Sequence, residues 1–136
     1  MNIDNAVINK PEDKVTFEII ECAMNVHSCL GCGFDEDIYI EALDKEMKNT
    51  CLTFERQIEL PVYYGESEIG KKKIDFLVDK ELLVEVKALS DLNEDNLMHG
   101  LKYLNVLRLH KGILINFGSK NLEVKKIRNP VYLKFQ

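Results

Sequence analysis

An aspartate followed ten residues later by a Glu-x-Lys triplet, Asp75 and Glu85-Val86-Lys87, defines the chemistry open to this chain. Two carboxylates and an ammonium are the groups that bind a hard divalent cation and steer a water beside it. Whether they meet depends on the segments that carry them. Residues 73–78 and 82–87 are two β-rich runs joined by Asp79-Lys80-Glu81, the pattern of an antiparallel hairpin. Strand alternation puts Ile74, Phe76 and Val78 on one face and Lys73, Asp75 and Leu77 on the other. Matching the apolar faces sets Ile74, Phe76 and Val78 against Val86, Val84 and Leu82. Asp75 is then expected across from Glu85, and Lys73 across from Lys87. Like charges directly opposite destabilise a bare sheet, and two carboxylates sharing a site either raise one pKa or recruit a cation. A bound divalent metal resolves the conflict. The plainer reading, a solvated sheet face, explains the charges but not Leu77 and Leu83. Those two fall on the same side and imply that this face is partly covered.

The remaining elements follow from periodicity. Residues 11–30 have Pro11 in a first turn and apolar Val15, Ile19, Ala23, Val26 and Leu30 at helical spacing, with Gly31 as the stop. Asp35 is placed to cap a second helix that runs to about residue 49. A strand over 52–64 alternates around Phe54, Ile58, Leu60 and Val62, and Gly65-Glu66 turns it into the strand carrying Asp75. Leu97, Leu101, Leu104 and Leu107 mark a helix over 92–108, which puts His99 and Tyr103 one turn apart on one stripe. Residues 112–117 read as a buried strand and 122–127 as an edge strand.

A chain of 136 residues, 46% hydrophobic and 30% charged, fits one domain, 1–136, with a core over about 11–128. The formal charge of −5 provides no global field for nucleic acid. Local basic clusters do occur, at Lys71-Lys72-Lys73 and at Lys102, Arg108, His110 and Lys111. No apolar run approaches the roughly 20 residues of a membrane helix. Residues 1–5 lack the features of a signal peptide, so no membrane association and a cytoplasmic location are expected. Cys29 and Cys32 form one CxxC, but Cys22 and Cys51 stand alone, a weak pattern for zinc or an iron–sulfur cluster. Cys22, on an amphipathic helix, reads as a small buried hydrophobe.

Gly33-Phe34-Asp35-Glu36-Asp37-Ile38-Tyr39, preceded by His27-Ser28-Cys29-Leu30-Gly31, resembles the signature of the GxxExxY proteins, a group within the PD-(D/E)XK nuclease-like superfamily. Further matches are Phe54-Glu55-Arg56-Gln57, Leu60-Pro61-Val62-Tyr63-Tyr64, Asp75-Phe76-Leu77-Val78, Glu85-Val86-Lys87-Ala88 and Leu114-Ile115-Asn116-Phe117-Gly118. The resemblance runs from about residue 15 to 128. It implies an α/β (α+β) fold with a restriction-endonuclease-like αβββαβ core, a mixed central sheet flanked by helices.

The same resemblance implies that Asp75 and Glu85 bind Mg²⁺ or Mn²⁺, that the Val86 carbonyl completes the shell, and that Lys87 positions or polarises the attacking water. Glu36 would join from its helix, one turn from Tyr39. A QxxxY motif common in exonuclease-type relatives stands here as His99-Gly100-Leu101-Lys102-Tyr103, with histidine in place of glutamine. His27, Tyr39, His99 and Tyr103 are therefore accessory candidates. Two functions follow: a metal-dependent nuclease cutting DNA rather than RNA, or a non-catalytic module that binds nucleic acid or protein. The edge strand near 122–127 leaves a homodimer open.

Overall fold

The computed structural model describes residues 14–131. In chain order the elements are α1 (Lys14–Leu30), α2 (Glu36–Lys48), β1 (Phe54–Tyr64), β2 (Ser67–Val78), β3 (Leu82–Lys87), α3 (Glu94–Leu107), β4 (Lys111–Asn116) and β5 (Glu123–Arg128). Pro11, expected in the first turn of α1, lies outside the described residues. The five strands form one sheet in the order β1-β2-β3-β4-β5. β3 and β4 are parallel, joined by the crossover through α3, and the other pairs are antiparallel. This is the αβββαβ arrangement with a mixed sheet, preceded by one extra helix and followed by one extra strand, β5.

Helices cover both faces. On one, Ile19, Ala23 and Val26 of α1 and Tyr39, Leu43 and Met47 of α2 close over Phe76, Val84, Val86, Ile115 and Phe117. On the other, Leu104 of α3, with Leu97, Leu101 and Tyr103, packs on Leu60, Ile74, Leu83 and Ile127. Leu77 joins this second layer. The charged face of the hairpin is thus partly covered, as Leu77 and Leu83 imply, with Lys73 left exposed.

One face assignment is corrected. Ile74 belongs to the α3 layer, whereas Phe76 and Val78 belong to the α1–α2 layer. β1 switches in step: Phe54 packs against the first layer, Ile58 and Leu60 against the second. The switch falls where the β1–β2 ladder omits Gln57 and Asp75, and Gln57 has φ of 50°. A residue in the left-handed region breaks the strand alternation and lets each strand present apolar side chains to opposite layers on either side of the break. Asp75 therefore stands at a local twist in the sheet.

Two ends differ in detail from expectation. Asp35 is the N-cap of α2, but its side chain makes no capping bond, and its carbonyl accepts from the Ile38 amide instead. Asn93 caps α3 through a reciprocal capping box with Asn96.

The loop after β3 is held by β4. The fully buried Asn116 side chain accepts from the amides of Leu89 and Gly118 and donates to the Leu89 carbonyl and to Glu123. A Cβ on Gly118 would overlap the backbone of Ala88 and Leu89. Gly118→Ala should accordingly destabilise the fold by about 3 kcal/mol, read by denaturant unfolding. An unchanged midpoint would show that the loop moves aside without cost.

Candidate functional site

Asp75 and Glu85 lie where β2 and β3 part. The ladder pairs Val78 with Leu82, Leu77 with Leu83 and Phe76 with Val84, in the expected register, and extends no further. The expected facing of Lys73 and Lys87 is therefore not formed. Beyond Phe76 the carboxylates take over from the ladder. The Asp75 amide donates to Glu85 Oε2 at 2.8 Å, and the Val86 amide donates to Asp75 Oδ2 at 2.8 Å. Each carboxylate thus ties the opposite strand while holding its neighbour close.

Electrostatics follows from this geometry. Glu85 is only 4% exposed and Asp75 is half-buried. Burial first, then the charge of Asp75, pushes the Glu85 carboxyl up to about 8, against the hydrogen bond from the Asp75 amide. Burial also raises Asp75, opposed by the Val86 amide and reinforced by the charge of Glu36. Lys87 lowers both but pairs with neither, since among the described residues no ion pair reaches Asp75 or Glu85. No hydrogen bond among those residues occupies Oδ1 of Asp75 or Oε1 of Glu85.

Two hard oxygen donors, buried together and short of positive charge, fit a divalent cation that keeps several waters and takes one or two protein carboxylates. Val86, between Glu85 and Lys87, is buried in the first layer. Glu36 lies exposed in the first turn of α2 and reaches the pair through its charge. Among the described residues no three His, Cys, Asp or Glu side chains converge as metal ligands. The side chains placed to hold such a cation are the two strand carboxylates.

The accessory candidates divide. Tyr103, half-buried on α3, has its phenol pushed up by burial and by the charges of Glu85 and Asp75, so it shares their field. His99, one turn earlier and exposed, lines a cavity of about 630 Å³ together with Tyr103. Tyr39 serves the fold. Its buried ring stacks on Phe117 at 4.8 Å, and its hydroxyl donates to the Gly31 carbonyl at 2.6 Å and accepts from the Phe34 amide at 3.2 Å. That clasp fixes the loop that delivers Glu36, with Gly31 and Gly33 at φ of 67° and 117°. His27 sets its Nε2 3.1 Å from the Ser119 carbonyl, tying α1 to the loop after β4. The four cysteines are free thiols. Cys22 is buried in the first layer, and burial pushes its thiol up to about 11.

Arg56 escaped functional assignment from sequence. It bridges Glu41 at 2.7 Å and buried Asp44 at 2.8 Å, lies over the Phe76 ring, and lowers Asp75 through its charge. The signal was Asp44, which lies on the apolar stripe of α2 with Ile40, Leu43 and Met47. A carboxylate buried there requires a cation from a neighbouring element.

In chelator, the raised Glu85 carboxyl should shape stability. Its folded pKa of about 8 exceeds the ordinary 4.5, so between those values the folded state holds more protons. Stability from this group is fully present below 4.5 and is lost as pH rises to about 8. Glu85→Gln keeps an oxygen for the Asp75 amide and removes the charge. It should flatten this slope and, at pH near 8, melt higher than the parent by on the order of 5 °C. Identical pH profiles for both proteins would contradict the burial and repulsion at this pair.

A family model described as the PD-(D/E)XK nuclease superfamily matches residues 13–128. No curated protein matches the chain. The crystal structure of SSO0001 is similar in fold, with a TM-score of 0.57 at 20% identity over 68% of this chain and 49% of that one. The chain thus spans about half the length of SSO0001, and at this identity the likeness bears on fold alone.

Proposed function

The chain belongs to the PD-(D/E)XK nuclease superfamily, and from that premise we propose that it is a Mg²⁺- or Mn²⁺-dependent nuclease that hydrolyses DNA phosphodiesters. The observation that carries this reading is the Asp75–Glu85 pair: two carboxylates interlocked across a strand fork, each with an oxygen left over and no cation paired to either among the described residues. The motif over residues 33–39 supports a place among the GxxExxY proteins.

Asp75 and Glu85 would hold the ion, with the Val86 carbonyl as a further donor. Such an ion, when bound, would supply Lewis-acid polarisation of the scissile phosphate and neutralise developing charge. The Lys87 ammonium orients a water for in-line attack on phosphorus and offers positive charge to the phosphoryl oxygens. Water forms the new P–O bond as the ester P–O bond breaks, leaving a phosphomonoester and an alcohol. The Tyr103 phenol, its pKa raised, stays protonated and is able to donate a hydrogen bond to a phosphate oxygen.

The test is a panel of single-stranded, duplex and branched DNA and RNA incubated with Mg²⁺ or Mn²⁺. Cleavage that chelator abolishes, with DNA cut faster than RNA, is expected. A protein that binds Mn²⁺ yet cuts nothing on the panel would be a non-catalytic binding module on the same fold.

A further inference from the structure

A groove on the α3 side of the sheet shares only Tyr103 with the residues assigned to hydrolysis. It measures about 630 Å³ and runs between the outer half of the β1–β2 hairpin and α3. The hairpin side contributes Leu60, Val62, Tyr63 and Lys72, and α3 contributes Lys102 and Tyr103. Leu60 and Lys72 are cross-strand partners, so the apolar floor and one cation share a face. Tyr103 lines this groove and also lies in the field of Asp75 and Glu85, which themselves stand outside the groove's lining.

Its chemistry is specific in two respects. Among the described residues no carboxylate lines it, although the chain carries −5 overall, and Lys72 and Lys102 form no ion pair. Apart from His99 of α3, its walls are otherwise apolar and aromatic, and Tyr63 remains 58% exposed. A double helix presents phosphates and groove edges and keeps its base faces stacked inside, so it would leave this apolar floor unpaired. An unpaired strand offers both complements at once, phosphates for the lysines and base faces for the tyrosines. A volume within the roughly 300–1,000 Å³ of small-ligand sites suits a short stretch of nucleotides.

We propose that this groove binds unpaired DNA, so that the enzyme acts on single strands or on single-stranded ends and flaps. The inference rests on the nuclease reading of the fork for its substrate, but its test is separable because binding is measured without catalysis. Fluorescence anisotropy in chelator would compare labelled oligothymidine with a blunt duplex. The parent should bind the single strand more tightly by on the order of ten-fold or more. Tyr63→Ala should weaken single-strand binding by on the order of ten-fold. Lys72→Glu with Lys102→Glu should weaken it further and make its salt dependence shallower. All three residues lie partly or wholly exposed, so the variants should keep the parent's circular dichroism. Equal affinity for duplex and single strand, or a Tyr63→Ala protein that binds as the parent does, would overturn the proposal. Selective single-strand binding by a protein that cleaves nothing with any metal would retain the groove and remove the nuclease reading instead.

Discussion

Asp75→Asn and Glu85→Gln are each expected to reduce DNA hydrolysis by a factor on the order of 10³ or more. Each amide keeps the oxygen that accepts from Val86 or from Asp75, so the strand fork survives. What disappears is one negative charge and, on the proposed reading, one of the two hard oxygen donors. The parent is expected to be stabilised by Mn²⁺ through ligand linkage, and the two variants should lose that stabilisation. In chelator both should melt above the parent, because burial and mutual repulsion no longer oppose folding. A loss of activity joined to a gain of apo stability is a signature that a merely misfolded variant cannot produce. A variant cleaving within ten-fold of the parent rate would remove that carboxylate from the chemistry.

Lys87→Ala should fail differently. Its ammonium acts on the pair through charge and forms no ion pair with it among the described residues. Removing it should cut hydrolysis by on the order of 10²–10³. Mn²⁺ affinity should stay unchanged or rise slightly, since one repelling positive charge leaves the cation's neighbourhood. The discriminating readout is the pair of numbers, rate and affinity, from the same preparation. Loss of both together would make Lys87 a structural support of the fork; loss of neither would remove it from the mechanism.

The residues that carry these effects are legible in the sequence because the hairpin has a strong local code. Phe76, Val78, Leu82 and Val84 form an apolar match with a short turn, and the observed ladder follows that register. The parallel pairing of β3 with β4 also follows from the helix interposed between them. The break at Asp75 was not legible. It depends on Gln57 adopting a left-handed conformation and on α3 offering an apolar layer to Ile74, both consequences of tertiary packing. Strict alternation therefore misplaced Ile74 and paired two lysines that the parted strands keep out of register.

Tyr39 shows a related limit. Helical spacing correctly places it one turn from Glu36, yet spacing does not report burial. The ring lies stacked on Phe117 and its hydroxyl is consumed by the 31–34 loop. Arg56 and Asn116 were visible only as members of motifs. Their work depends on partners from other elements, Asp44 for one and the Leu89 backbone for the other.

The most direct measurement is calorimetric titration of Mn²⁺ into the metal-free parent and into Asp75→Asn at neutral pH. Binding by the parent that Asp75→Asn loses is the result predicted for an ion held between Asp75 and Glu85. A parent that takes up no Mn²⁺ in the millimolar range, or an Asp75→Asn protein that binds it equally well, would contradict a metal site at the strand fork.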